Sequence, residues 1–280
     1  MKVLITGACG GIGREITNFL SKKNVDIVAC DLLEKTEAEK IFLEPGKIKY
    51  FKLDISKINQ IEEVFERLKD AEKFDAIMHI AGIFEIDSFI EINAALLQKM
   101  FETNLLGVIH FNRIFHSILQ EKGRIIITTS EVAPLAPMPF NGVYNVTKTA
   151  LDAYCQALRQ ELNLLGQKVI TIRPGAFNTK LSQGALTKTK ELTEKTILYK
   201  SQAQNFYNLV KMFMGKPQPP EKLCKTYYKA LTKRRPKLIY KKHTNPLLKL
   251  TNLLPLRLQC LAVKSLIKNK NKNYKKKTNK

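Results

Sequence analysis

The first 23 residues, MKVLITGACGGIGREITNFLSKK, constrain the fold more than any other stretch. KVLIT (2–6) is a near-continuous apolar run of strand length, and TGACGGIG (6–13) is a glycine-rich turn. GIGREITNFLSKK (11–23) then carries the three-and-four spacing of a helix. A strand apolar on both faces has to be covered on both faces, and a strand that feeds straight into a helix begins a crossover unit. The same alternation recurs. DIVACD (26–31), IKYFKLD (48–54), FDAIMHIAG (74–82), RIIITTS (124–130) and KVITIRPG (168–175) read as strands, separated by predicted helices at 57–70, 93–121 and 142–165. Asn24 stands where the first helix should end in a left-handed residue. The expected fold is therefore α/β, a doubly wound parallel sheet whose ligand site lies at the carboxyl ends of the strands.

The rest of the chain departs from that rhythm. Residues 176–215 are polar at first and then weakly helical, as expected of a substrate lid over about 178–215. PPEKLCKTYYKALTKRR (219–235) predicts another helix with proline at its start, and KLIYK a short last strand. The reading is one domain over 1–243 and a basic amphipathic extension over 244–280, whose Lys/Asn-rich end (264–280) is expected to be disordered.

Charge sharpens the division. Of the net charge of +22, residues 216–280 hold +19, from 20 Lys or Arg and the single acid Glu221. The remaining body is near neutral, which argues against a nucleic-acid-binding domain, and few aromatic residues interleave with the terminal lysines for base stacking. No run of eighteen apolar residues occurs and the chain enters a strand at once, so a cytoplasmic protein is expected. Five cysteines lack paired spacing and four histidines are scattered, so neither disulfides nor a metal site is expected.

Two motifs carry chemistry. In the glycine loop, Gly7 permits the tight turn, Gly11 lets the backbone approach a pyrophosphate, and Gly13 lets the helix pack on the sheet. Asp31 ends the second strand, 24 residues after Gly7. There it can accept from ribose hydroxyls and would repel a 2′-phosphate, and Gly10 leaves no basic residue before Gly11, so NAD is favoured over NADP. The second motif is GVYNVTKTALDAYCQALRQEL (142–162), which places Tyr144 and Lys148 on one helical face. A phenol titrates near ~10, and a neighbouring ammonium lowers that value toward useful acid–base work.

Together these residues resemble the short-chain dehydrogenase/reductase family. TGACGGIG is similar to its glycine loop and GVYNVTKTA to its Y-x-x-x-K element. Ser130 stands where the family has its catalytic serine, Asn104 in TNLLG where it has a helix asparagine, and RPGAFNT resembles its P-G-x-x-x-T segment. The resemblance covers roughly residues 3–180 and implies a Rossmann fold and an enzyme that moves hydride between an alcohol or ketone and a nicotinamide. It implies Tyr144 as general acid/base, Ser130 as the group polarising the substrate oxygen, Lys148 as the tuner of Tyr144 and binder of the nicotinamide ribose, and Asn104 as holder of a water linked to Lys148. It further implies cofactor contacts from Ile12, Asp54, Ile55, Ala81, Gly82, Pro174, Gly175, Phe177 and Thr179. One departure stands out: HIAG (79–82) puts His79 and Ile80 where the family often has two asparagines.

Finer features resemble the branch acting on retinoids and hydroxysteroids, which implies a hydrophobic substrate under the lid. NPLLKLTNLLPLRLQCLAVKSLIK (245–268) mixes leucines with basic residues and could lie on an anionic membrane surface. The resemblance also implies a homo-oligomer, through the helices at 93–121 and 142–165. A non-catalytic dinucleotide sensor, a nucleic-acid-associated protein and a sugar-nucleotide epimerase are the competing readings. The intact Ser130, Tyr144 and Lys148 argue against the first, and the chain's modest length against the last.

Overall fold

A computed structural model of the chain describes residues 1–70, 73–213 and 217–268. Seven strands form one sheet: β1 (Lys2–Thr6), β2 (Asp26–Asp31), β3 (Ile48–Lys52), β4 (Phe74–His79), β5 (Leu119–Thr128), β6 (Lys168–Pro174) and β7 (Ile239–Lys242). Their order across the sheet is β3-β2-β1-β4-β5-β6-β7, with every pair parallel. The order reverses between β1 and β4, and that reversal opens a crevice at the carboxyl ends of the strands.

The near-continuous apolar strands feed two cores, as a doubly covered sheet requires. Val3, Ile5, Ala76, Met78 and Ile170 point to one face, which is closed by α1 (Gly11–Ser21), α2 (Lys35–Ile41) and α9 (Glu221–Thr232). Leu4, Ile77, Ile125, Ile127 and Val169 point to the other, closed by α3 (Ile58–Glu66), α5 (Gly107–Phe115) and α6 (Gly142–Leu164). Asn24 ends the first helix with a φ of 54°, the left-handed turn that its position predicts.

The predicted helix over 93–121 is not continuous. It divides into α4 (Ala94–Phe101), a π-helical turn (Glu102–Leu106) and α5, and the chain has already entered β5 at Leu119. Apolar periodicity of helical type cannot register one extra residue in a turn, and the π turn adds just that. Helix α2, seven residues with a single buried side chain, Ala38, has too little apolar pattern to be read from sequence.

The polar segment after β6 forms α7 (Lys180–Lys195) and α8 (Lys200–Phe213), which pack on each other. The extension forms α10 (Pro246–Thr251) and α11 (Leu256–Ile267), with α11 against α8. Helix α11 thus takes in Lys264–Ile267, part of the segment expected to be disordered, and Val263 and Ile267 pack into a third apolar cluster shared with α8. Most of the lysine-rich tail, 269–280, lies outside the described residues. No helix among the described residues is long and apolar enough to cross a membrane.

Candidate active site

The glycine loop connects β1 to α1 by packing that only glycine permits. Gly7 has a φ of +74°, and a Cβ there would sit 2.4 Å from the Ala81 nitrogen at the end of β4. At Gly13 a Cβ would sit 1.9 Å from the Gly7 carbonyl oxygen, so the first turn of α1 lies directly on the loop. A Cβ on Gly11 would come within 2.8 Å of the Thr179 side chain, which joins the loop to the segment after β6. Helix α1 begins at Gly10, which offers no side-chain cap, and has no acid in its first turn. Its leading N–H groups, at Gly11, Ile12 and Gly13, thus fit a diphosphate. The Ile12 side chain itself packs on the core.

Asp31 stands beside this loop. Its Oδ2 accepts from the Cys9 nitrogen at 2.8 Å, and its Oδ1 accepts from the Leu32 nitrogen at 2.7 Å. Tyr50, reaching from β3, donates to the Leu33 carbonyl at 2.6 Å and thereby fixes the turn that follows β2. The carboxylate therefore braces the loop.

The other expected cofactor contacts divide by whether backbone or side chain faces the crevice. Asp54 Oδ1 accepts from the Ser56 nitrogen and hydroxyl at 2.9 and 2.7 Å and so organises the turn into α3. Ile55 is buried in the core and Phe177 likewise, its ring 6.0 Å from that of His243. Their side chains are committed to packing. Ala81 donates its N–H to the Thr6 carbonyl. Pro174 accepts from the Glu131 nitrogen, and Gly175 donates to the Lys242 carbonyl, so the β6 end is tied both to the loop after β5 and to β7.

The catalytic candidates meet where β4, β5 and α6 come together. A Cβ on Gly82 would lie 3.2 Å from Asn104 Oδ1 and 3.3 Å from Lys148 Nζ, which places all three side by side. Asn104, fully buried in the π turn, accepts from the Ile83 nitrogen at 2.8 Å and donates to the Ile83 carbonyl at 2.9 Å and to Thr147 Oγ1 at 3.1 Å. Lys148 donates to the Thr128 carbonyl at 3.3 Å, and its Nζ lies 5.9 Å from the centre of the Tyr144 ring. Ser130 faces the Tyr144 phenol and favours its ionised form. The packing of β5 and the π turn thus brings Ser130 and Asn104 to the Tyr144–Lys148 pair.

The expected acidity of Tyr144 is not what the protein alone supplies. Burial pushes the phenol up to about 12; Ser130 opposes this and the charge of Glu131 adds to it. Burial likewise lowers the Lys148 ammonium to about 8. The cation stands near the ring, but burial dominates the phenol's pKa.

His79 is a structural residue. Its Nδ1 accepts from the Thr6 hydroxyl at 3.3 Å and its Nε2–H donates to Asn112 Oδ1 at 2.8 Å, while Asn112 donates to the Tyr154 hydroxyl at 3.2 Å. Burial holds the imidazole at about 4, so it stays neutral. Among the described residues no group of histidines, cysteines or acids could hold a metal.

Three contributors carry no sequence motif. Glu131, which follows Ser130, faces Tyr144 electrostatically and accepts from the Asn245 nitrogen at 2.5 Å. Phe84 sets its edge against the Tyr144 ring at 4.9 Å and also packs on the cluster of Ile86, Phe140, Leu192, Ala203, Phe206 and Ile267. Phe140 itself has a φ of +63°, a strained conformation for a bulky side chain, and its ring meets those of Tyr199 and Phe206 in the lid. The adjacency of Glu131 to Ser130 is the only hint that sequence offers.

The family model for short chain dehydrogenases matches residues 1–190. Mouse estradiol 17-beta-dehydrogenase 2 is 28% identical over 187 residues, 64% of this chain and 49% of that enzyme, so the chain matches about half of that relative's length. An uncharacterized oxidoreductase of Listeria monocytogenes is 31% identical over 207 residues, 71% of this chain and 82% of its own. Among solved structures, a short-chain dehydrogenase from Streptomyces avermitilis superposes with a TM-score of 0.69 at 22% identity, over 86% of this chain and 88% of that one. The 3-ketoacyl-(acyl-carrier-protein) reductase from Brucella melitensis, complexed with NADH, gives 0.69 at 20% identity over 86% and 95%. At such identities the superpositions speak for the fold alone. The sequence match over two thirds of the chain, joined to a glycine loop and a Ser–Tyr–Lys group on the matching elements, places the chain in the short-chain dehydrogenase family.

Proposed function

We propose that the chain is an NAD(H)-dependent oxidoreductase that interconverts an apolar alcohol with its ketone or aldehyde. The observation that carries the reading is the meeting of Ser130, Tyr144 and Lys148 beside Gly82, at the strand ends that also hold the glycine loop. A nicotinamide cofactor supplies the hydride acceptor or donor. The Tyr144 phenol exchanges the proton of the substrate oxygen, and the Ser130 hydroxyl holds that oxygen by hydrogen bonding. Lys148 keeps a positive charge next to the phenol, which favours the phenolate once a substrate proton has to be taken up. Asn104, Thr147 and Ile83 hold the backbone around Lys148 in place.

The apolar substrate is supported by Phe84 and the aromatic and aliphatic lid cluster next to Tyr144. The preference for NAD is supported by the Asp31 carboxylate beside the glycine loop. The mouse relative's name, an estradiol dehydrogenase, agrees with a steroid-like or similarly lipidic substrate.

A panel of sterols, retinoids and aliphatic alcohols, offered with NAD or NADP and followed by the absorbance of the reduced nicotinamide, tests this. Turnover with apolar alcohols is expected, faster with NAD. Tyr144→Phe should lower kcat by roughly 10²–10⁴-fold, while NAD still raises the melting temperature of the variant. Undiminished turnover in Tyr144→Phe, or no stabilisation of the wild-type chain by either dinucleotide, would overturn the reading.

A further inference from the structure

We propose that the C-terminal arm, residues 243–268, docks the protein on an anionic lipid bilayer and ties that docking to the lid. The arm runs along the site before it reaches the lid. The Asn245 nitrogen donates to the Glu131 carboxylate at 2.5 Å, next to Ser130, and Asn252 Oδ1 accepts from the Ala136 nitrogen at 2.6 Å. At its far end Asn205 of α8 donates to the Ile267 carbonyl at 3.0 Å, and Val263 and Ile267 enter the apolar lid cluster. The arm thus spans from the serine-bearing loop to the second lid helix.

Helix α11 has a second apolar side. Leu258 and Leu261, three residues apart, share a face that lies roughly 140° around the helix from Val263, counting from Leu258. They are 49% and 60% exposed, and Leu254 just before the helix is 41% exposed. Arg257 and Lys264 line one edge of that face, Lys268 follows the helix, and no acid occurs anywhere from 244 to 280. Leucines bordered by cations fit one occupant best: lipid headgroups of negative charge above an acyl layer. A second copy would bring the same positive charge against itself, and a nucleic acid would leave the leucines unused. The link to the lid rests on the proposed oxidoreductase reading; the docking does not.

Vesicles of phosphatidylcholine, with and without phosphatidylserine, test both parts on the full chain. Co-sedimentation is expected only with the phosphatidylserine vesicles, weakening with added salt. The double variant Leu258→Glu/Leu261→Glu should bind them about tenfold less, with unchanged melting temperature and NAD binding. In the second arm, those vesicles should lower the KM for an apolar alcohol without changing kcat, and the double variant should lose that response. Equal binding to both vesicle types, or full binding by the double variant, would overturn the docking, the latter marking bare charge attraction that a nucleic acid would share. A double variant that changes oligomeric state but not vesicle binding would overturn it in favour of self-association. Docking with a KM that ignores vesicles would overturn the coupling alone. A chain without turnover defeats the oxidoreductase reading and with it the coupling, and leaves the co-sedimentation result to decide docking.

Discussion

Lys148 carries its charge to a place that water barely reaches, with 4% of its surface exposed and the Thr128 carbonyl as its hydrogen-bond partner. Burial lowers its pKa from 10.5 to about 8, so the unfolded chain holds that proton more tightly than the folded one. Its contribution to stability is therefore fully present above pH 10.5 and is lost as the pH falls toward 8. At pH 7 the buried charge costs on the order of 3 kcal/mol. Replacing Lys148 by Met should raise the melting temperature at pH 7, and the advantage over wild type should vanish by about pH 10.5. A difference that stays constant across that range would show that burial does not destabilise the cation. The proposed preference for NAD rests on the charge of Asp31. Asp31→Asn keeps an oxygen for the Cys9 nitrogen but removes the charge facing a 2′-phosphate. The NADP-to-NAD ratio of kcat/KM should rise about tenfold, equivalent to ~1.4 kcal/mol. An unchanged ratio would assign Asp31 to bracing the loop and nothing more.

At the scale of elements, the lid is held by acids from the loop that follows β4. Glu91 accepts from Thr196 Oγ1 at 2.5 Å and from the Ile197 and Leu198 nitrogens at 2.7 and 3.0 Å, at the turn between α7 and α8. Asp87, buried, pairs with Lys195 at 2.7 Å, and Glu85 pairs with Lys188. The hydrogen bond from Thr196, first among several, holds the Glu91 carboxyl below its usual range. Its hold on the lid is thus present above the ordinary carboxylate pKa and is lost as the pH falls through the lowered value. Glu91→Ala should speed proteolytic cutting within residues 180–213 roughly several-fold at neutral pH, with little change in the melting temperature of the whole chain. Wild type should show the same sensitivity only in acid. Unaltered cutting, or cutting that moves to the sheet, would count against the latch. The π turn at Glu102–Leu106 is a second device of this scale: it turns Asn104 inward to bond Ile83 on both sides, and helical periodicity in TNLLG gives no sign of it.

Across the whole molecule, legibility followed the range of the interaction. Each strand of the sheet declares itself by a local apolar run, and the glycine loop by residues only a few positions apart. Tyr144 and Lys148 are one helical turn from each other, so their meeting needs nothing but the helix. Ser130 and Asn104 reach them only through the packing of β5 and the π turn, and resemblance, rather than spacing, located them. Beyond the adjacency of Glu131 to Ser130, nothing local marked Phe84, Glu131 or Asn245, which stand on loops 47 to 161 residues apart in sequence. Charge behaves in the same divided way. The +19 of the last 65 residues is plain in the composition, but which leucines of α11 stay exposed is set by its packing on α8.

The amino-acid sequence alone determined the doubly wound sheet, the glycine cradle and the Tyr–Lys pair, because period, turn chemistry and i,i+4 spacing are properties of neighbouring residues. Tertiary structure alone decided how acidic the phenol is, how the lid is held and where the C-terminal arm lies. Those depend on how much water is excluded and on which distant groups then face each other, and neither is encoded in any single stretch of chain.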